Sequence, residues 1–100
     1  MTEEYQVTLH SQMGPRQGIL TLQRQGIRLT GTLELVGYVN AVQGQVDQDG
    51  SLRISHAIQT ALSTFACETL LQIQGDQLTG LSRSEPCQMR WEGRRIRQTP

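Results

Sequence analysis

The chain has 100 residues, a length that suits one domain with its own core. Nine acidic side chains balance nine basic ones, so the net charge is zero and no overall field would attract nucleic acid or an anionic membrane. No apolar run is long enough to cross a membrane, and the first residues lack the basic and apolar regions of a secretory signal. We therefore expect a cytoplasmic protein in which Cys67 and Cys87 are reduced thiols rather than a disulfide.

Apolar and polar residues alternate with a period of two along most of the chain, whereas helical spacing is nearly absent. Turn-forming residues such as Gly14-Pro15 and Glu85-Pro86 separate the alternating runs. In chain order, the sequence predicts eight strands near residues 4–13, 17–24, 27–35, 38–47, 51–59, 64–74, 77–83 and 87–93. Such a pattern predicts an all-β protein, an antiparallel eight-stranded meander that forms a small closed or nearly closed up-and-down barrel.

The turns also predict how neighbouring strands align. A two-residue hairpin loop at Gln25-Gly26 places Leu22 opposite Leu29 and Leu20 opposite Gly31. The loops further along the chain predict the pairs Leu33 with Asn40, Gly31 with Val42, Val46 with Leu52, Val42 with His56, and His56 with Cys67. In each hairpin these pairs bring the apolar residues to one face, as a half-buried sheet requires.

Two glycines in the middle of strands favour closure of the sheet. Gly31 is predicted to lie opposite Val42, and Gly80 opposite Trp91, where a glycine kink bends a sheet towards a barrel. The two glycines end matching segments, residues 22–31 and residues 71–80. The match indicates either a duplicated four-strand half or two meander segments that converged on the same turn and strand residues.

The segments Gly18-Ile19-Leu20-Thr21-Leu22, Leu29-Thr30-Gly31-Thr32-Leu33 and Gly75-Asp76-Gln77-Leu78-Thr79-Gly80 resemble strands of calycin-like up-and-down barrels, the architecture of lipocalins and avidin-like proteins. The Gly-x-Trp signature near the start of lipocalins is missing, since the only tryptophan is Trp91 in the last strand. The resemblance implies the barrel architecture, and no binding residue of these families carries over to a position of this chain.

The period-two pattern assigns each side chain to the inside or the outside of the barrel. The inward apolar residues are predicted to be Val7, Leu9, Leu20, Leu22, Ile27, Leu29, Leu33, Leu35, Val42, Val46, Leu52, Ile54, Ile58, Phe65, Leu71, Ile73, Leu78, Met89 and Trp91. Six polar side chains share this face, namely Tyr5, Tyr38, Asn40, His56, Thr69 and Ser82. A buried polar group needs a partner, so these six positions carry the most information about function.

The predicted register brings His56, Cys67 and Ser82 side by side. A histidine beside a cysteine can activate a thiol nucleophile, but the same pair also occurs as a core imidazole beside an inert thiol. We expect no catalytic residue, no cofactor and no metal site, because nothing supplies an oxyanion hole and His10 points outward, away from His56. The candidate ligand-binding residues inside the barrel are Tyr38, Asn40, His56, Cys67, Ser82 and Trp91.

On the outer face, the register aligns three alanines across neighbouring strands. A row of small side chains lets another sheet approach closely, which suits a symmetric dimer. The candidate subunit-interface residues are Val39, Ala41, Ala57, Ala66 and Leu70. Isolated alanines also tolerate exposure without any role, so the row by itself leaves both interpretations open.

The end of the chain is basic, and residues 94–100 are predicted to form a short solvated tail after the last strand. The neutral total and the inward Trp91 argue against a nucleic-acid patch here. The sequence thus predicts a single barrel domain spanning residues 1–100 that is not an enzyme. We expect it either to bind a small apolar or amphipathic molecule in the barrel or to act as a homo-oligomer through its outer face.

Overall fold

The structure is a computed structural model that describes residues 1–12, 14–83 and 88–100. Its strands are β1 (Thr2–Ser11), β2 (Gly14–Gln25), β3 (Arg28–Leu35), β4 (Tyr38–Val46), β5 (Leu52–Gln59), β6 (Thr64–Gln74), β7 (Gln77–Arg83) and β8 (Gln88–Thr99). Each strand pairs with its sequence neighbours, and β8 pairs with β1 to close the barrel. The predicted fold class, a closed antiparallel eight-stranded barrel, is confirmed.

No helix among the described residues has the length and apolar character needed to cross a membrane.

Most of the predicted strand alignments are confirmed. Val42 lies opposite Gly31 on one side and His56 on the other, and His56 lies opposite Cys67. Gly80 lies opposite Trp91, as the pattern of the last hairpin predicts. The register is well determined because a slip of one residue would turn every apolar side chain towards water.

The predicted alignment of β2 with β3 is wrong by two residues. The loop consists of Gly26 and Ile27, so that Leu22 faces Gly31 and not Leu29. Gly26 adopts a φ of 61°, which suits the first central position of a two-residue hairpin turn, where glycine is favoured. A shift of two keeps the inward face unchanged, but it moves Ile27 from the predicted core into the loop, where its side chain is 69% exposed.

The inside of the barrel is filled by its own side chains. Trp91 and Tyr5, the two largest, are fully buried, and Cys67 is buried beside them in the same face. Apart from Ile27, the residues predicted to point inward do so, although Val46, Phe65, Ile73 and Met89 are only partly buried. Full burial of one such apolar side chain contributes about 1.5–3 kcal/mol, so this filled interior is the main source of stability.

The mid-strand glycines are required by close contact between strands. A side chain at Gly31 would overlap the backbone carbonyl oxygen of Thr21 on β2. At Gly80 the added carbon would lie 2.5 Å from the side chain of Leu71. Both strands therefore need glycine at these positions, where the neighbouring strand approaches closely.

The last strand is longer than the sequence predicts. Residues 94–99 belong to β8 and, except for Ile96, pair with β1, and Arg94 also pairs with β7, so they form part of the barrel wall instead of a tail. The register between β1 and β8 shifts between Glu4 and Tyr5, and Arg95 lies at this end of the barrel. There it forms hydrogen bonds to the turn that joins β6 and β7, so this basic residue has a structural role.

Candidate functional site

Four polar side chains form a hydrogen-bonded row across β5, β6, β7 and β8 inside the barrel. The indole Nε1 of Trp91 lies 2.6 Å from the Ser82 hydroxyl. The Ser82 oxygen lies 2.5 Å from the Thr69 hydroxyl, which in turn lies 2.7 Å from Nε2 of His56. All four side chains are buried, and the imidazole and indole rings meet edge to face with centroids 5.5 Å apart.

The backbone carbonyl of Ala57 determines the direction of these hydrogen bonds, because it can only accept. The His56 proton therefore resides on Nδ1 and is donated to that carbonyl at 3.1 Å, and the neutral ring accepts at Nε2 from Thr69. The Thr69 proton is then engaged, so Ser82 donates to Thr69 and accepts from the Trp91 N–H. Burial lowers the pKa of His56, so the row contains a neutral imidazole with both nitrogens engaged.

The predicted neighbour of His56 on β6, Cys67, is buried directly opposite it in the strand register. The accepting nitrogen of His56 is already engaged by Thr69. Cys87, the other cysteine of the sequence, lies outside the described residues, and so does the predicted turn at Glu85-Pro86.

The wall of the barrel changes character between β4 and β5. Their register ends where Val42 faces His56, although β4 begins at Tyr38 and β5 continues to Gln59. In the remaining stretch the Asn40 side chain stands in for the strand backbone, as its Oδ1 accepts a hydrogen bond from the Gln59 N–H at 3.1 Å. We call this stretch, residues 38–41 of β4 and 57–59 of β5, the seam.

An open concavity of about 1010 Å³ lies over β4, β5 and β6 and reaches the seam at Ala41 and Ala57. Its lining combines inward-facing residues with residues of the outer face, of which three are alanines and the others are polar. The inward-facing members are Val42, His56, Phe65 and Cys67, and the outer members are Thr30, Ala41, Gln43, Ser55, Ala57, Thr64, Ala66, Glu68 and Arg83. Residues from both predicted sets, interior and outer row, therefore line the same concavity.

Of the six predicted ligand-binding residues, His56 and Cys67 line this concavity and the other four lie elsewhere in the barrel. His56, Ser82 and Trp91 belong to the polar row, and Cys67 lies beside His56. Asn40 holds the seam and also donates from Nδ2 to the Leu33 carbonyl at 3.1 Å. Tyr38 is half-buried at the end of β4 and contributes no contact to the polar row.

The predicted outer alanine row is also present. Ala57 lies opposite Ala66, and Ala41 precedes Val42, the last residue of β4 in register with β5. Val39 is 66% exposed, and Leu70 lies opposite Leu81 with both side chains 43% exposed. A second open concavity of about 660 Å³ covers the Leu70 side of this face.

Sequence reasoning missed an ionic cluster at the opposite barrel end. Glu3 is only 3% exposed and pairs with Arg24 and Arg95. The first strand was predicted to begin at residue 4, which left Glu3 outside. The alternation of Tyr5, Val7 and Leu9, extended back by one step, would have placed Glu3 on the inward face.

Neither a protein-family model nor a curated protein matches the chain. Among solved structures, the chain is similar to a redesigned β-barrel, mFAP0, bound to DFHBI, with a TM-score of 0.71 and 16% sequence identity. The match covers 91% of this chain and 94% of that one. At this identity the likeness shows the fold, a small closed antiparallel β-barrel.

Proposed function

We propose that the protein is a non-enzymatic barrel that binds a small apolar or amphipathic molecule at the seam. The observation that supports this most directly is the seam concavity, whose lining includes the inward-facing His56 and Cys67 as well as Ala57 on the outside. Its volume is similar to that of known ligand sites, which span about 300–1,000 Å³. The similar barrel mFAP0 holds a small molecule, DFHBI, which supports the capacity of this architecture for such a ligand.

The chemistry of the lining favours a ligand without charge. Val42 and Phe65 supply apolar contact, and Ala41 and Ala57 leave room for a flat molecule between the strands. The imidazole of His56 is neutral and its nitrogens are engaged, so it offers no charge to an ion. Polar groups of a ligand would instead meet the polar side chains of the lining, which are Thr30, Gln43, Ser55, Thr64, Glu68 and Arg83.

A second candidate function, assembly of identical subunits, is favoured by the exposed apolar residues of the outer face. Val39, Leu70 and Leu81 expose between two fifths and two thirds of their side chains beside the alanine row. A contact through Val39, Ala41, Ala57, Ala66 and Leu70 would cover them. Small domains gain buried area in this way.

Native mass spectrometry of the protein purified from cells separates the two candidates. A mass excess that disappears on unfolding supports ligand binding and gives the mass of the ligand. A dimer without such an excess supports assembly. A bare monomer that also fails to bind the neutral apolar dye Nile red would contradict both.

A substitution locates the site. Ala57→Phe fills the seam concavity, so we expect it to weaken Nile red binding by about tenfold or more, equivalent to about 1.4 kcal/mol. Gln23→Phe, an equally large change at an exposed outer position of β2, is the matched control and should leave binding unchanged. Equal binding by both variants would place the dye elsewhere and remove the support for a seam site.

The other sequence-based expectations remain predictions. We infer a cytoplasmic protein that binds neither nucleic acid nor membrane and that uses no cofactor. Kinship with calycin-like barrels is likewise an inference from the strand pattern.

A further inference from the structure

The end of the barrel opposite Tyr38 and Asn40 is crossed by an ionic cluster built on Glu3. Its carboxylate oxygens lie 2.9 Å from Nε of Arg24 and 3.3 Å from Nη1 of Arg95. The three residues come from β1, β2 and β8, so the cluster ties together the strands at which the barrel closes.

The hydrogen-bonding capacity of Arg95 is used within the protein. Its Nη2 lies 2.7 Å from the Gly75 carbonyl oxygen and 2.9 Å from a carboxylate oxygen of Asp76, and its Nη1 also donates to Gln98 at 3.0 Å. Together with the contact to Glu3, these bonds leave no terminal N–H group of Arg95 for another partner. Arg95 is therefore a structural member of the cluster.

Arg24 is different. Its side chain donates through Nε to Glu3, and its two terminal nitrogens make no ion pair to any residue that the structure describes, although the guanidinium approaches the Tyr5 hydroxyl. The side chain is 25% exposed, so these nitrogens can be reached from solvent. Two parallel N–H groups on one guanidinium match the two oxygens of a carboxylate.

Beneath the cluster lies a hydroxyl whose proton has no acceptor. The hydroxyl of Tyr5 is completely buried; the Arg24 guanidinium approaches it, but within residues 1–12, 14–83 and 88–100 nothing accepts its proton. Burial is the largest cause that raises the pKa of Tyr5, the charge of Glu3 adds to it, and Arg95 and Arg24 act against it, so the hydroxyl keeps its proton near neutral pH. A buried hydroxyl whose proton has no acceptor destabilises a protein by about 1–3 kcal/mol, which calls for a group that accepts it.

The charges of the cluster favour an anion in that position. Two guanidinium groups face Glu3, while Asp76, the other carboxylate in contact with Arg95, is 73% exposed and screened by water. The buried part of the cluster therefore has an excess of positive charge.

We propose that this end of the barrel binds a small carboxylate, which Arg24 holds through its two terminal nitrogens while the Tyr5 hydroxyl donates to it. The site is separate from the seam, and the proposal does not depend on the function proposed there. A carboxylate would supply the acceptor that Tyr5 lacks and the negative charge that the two arginines call for.

Formate is the smallest probe of this site. We expect titration with sodium formate, at ionic strength held constant with sodium chloride, to move the backbone amide NMR signals around Tyr5 and Arg24 in a saturable way. Movement no larger than in chloride alone would overturn the proposal.

Three variants test the assignment. Tyr5→Phe should weaken formate binding while leaving the protein folded in chloride, because no described residue accepts the proton of the lost hydroxyl. Arg24→Lys should weaken formate binding about tenfold, since a single ammonium charge replaces the two parallel N–H groups of the guanidinium. Arg28→Lys, at an exposed arginine in the same hairpin, is the matched control and should bind as the unchanged protein does.

Glu3→Gln gives the sharpest result. Removing the competing carboxylate should raise the affinity for formate if the anion lies against Arg24. If the cluster serves only to hold the strands together, this variant lowers stability and formate binding is absent. Undiminished binding by Tyr5→Phe would likewise contradict the proposed role of the hydroxyl.

Discussion

The Ala57 carbonyl and the Trp91 N–H fix the two ends of the buried row, because a carbonyl can only accept and an indole N–H can only donate. Between these ends Ser82 donates to Thr69, which donates to His56. Protonating His56 at Nε2 would require Thr69 to accept instead, and one of the two hydroxyl protons would lose its partner. The row therefore stabilises the neutral imidazole and acts in the same direction as burial.

The unfolding free energy should fall as the solution is acidified. The pKa of His56 is lowered in the folded protein from its ordinary value of 6.5, so the unfolded chain binds the proton more strongly. The stabilisation is complete when the pH lies above the pKa of His56 in the unfolded chain. It is lost as the pH falls below that pKa towards the lower pKa of His56 in the folded protein. Urea unfolding between about pH 7 and pH 5 measures this loss.

The matched variant is His56→Gln, which lacks the titrating ring but can still accept from Thr69. We expect its stability to depend less steeply on pH over the same interval. The carboxylates of Asp49 and Glu92, whose pKa values are lowered by hydrogen bonds to Ser51 and His10, titrate in both proteins and cancel in the comparison. The same slope in both proteins would show that His56 does not titrate as inferred.

At the scale of the elements, the hairpin turns show what the sequence could and could not predict. The predicted strand ranges leave loops at Val36-Gly37 and Gly75-Asp76, which are correct, whereas the predicted loop at Gln25-Gly26 lies one residue too early. The internal repeat held the missing signal. It aligns Gly26 with Gly75, and both adopt a φ of 61° at the same position of their turns.

One turn carries a residue poorly suited to it. Val36 has a φ of 46°, a left-handed conformation that is unfavourable for a β-branched side chain. Val36→Asn would place Asn before Gly37, the preferred pair for such a turn. We expect it to raise the unfolding free energy by about 1 kcal/mol, measured by chemical denaturation.

Val39→Asn is the control for that change. Val39 is an exposed valine of the same hairpin, but it lies in extended strand backbone, where valine is favoured over asparagine. This variant should be no more stable than the unchanged protein. If both substitutions stabilise equally, the gain comes from replacing exposed valine and not from the turn.

At the scale of the whole molecule, period-two patterning was enough to predict the barrel and nearly all of its core. It could not predict that Glu3 lies inside, because a carboxylate interrupts the apolar pattern and becomes acceptable only through Arg24 and Arg95. The seam was equally hidden, since it depends on where the Asn40 side chain replaces backbone pairing. Both features require contacts between residues distant in sequence.

Closure of the barrel depends on the final residues. Removing residues 94–100 would expose the edge of β1 and leave the buried Glu3 without Arg95. We expect the shortened chain to lose its cooperative unfolding transition and to aggregate, as followed by near-UV circular dichroism and size-exclusion chromatography. Removal of Pro100 alone is the control and should change neither, and a monomeric, cooperative chain ending at Gly93 would contradict this role of β8.

The pairing of β1 with β8 also places the two chain ends side by side, with Thr2 opposite Thr99. A closed ring in which each strand pairs with its sequence neighbours, and the last strand with the first, has no first strand in any structural sense. The chain could therefore be joined at its present ends and opened within another hairpin loop, such as the one between Gln59 and Thr64, as a circular permutation. New chain ends in a loop near the seam would lie beside the stretch of the wall where the backbones of β4 and β5 are not paired.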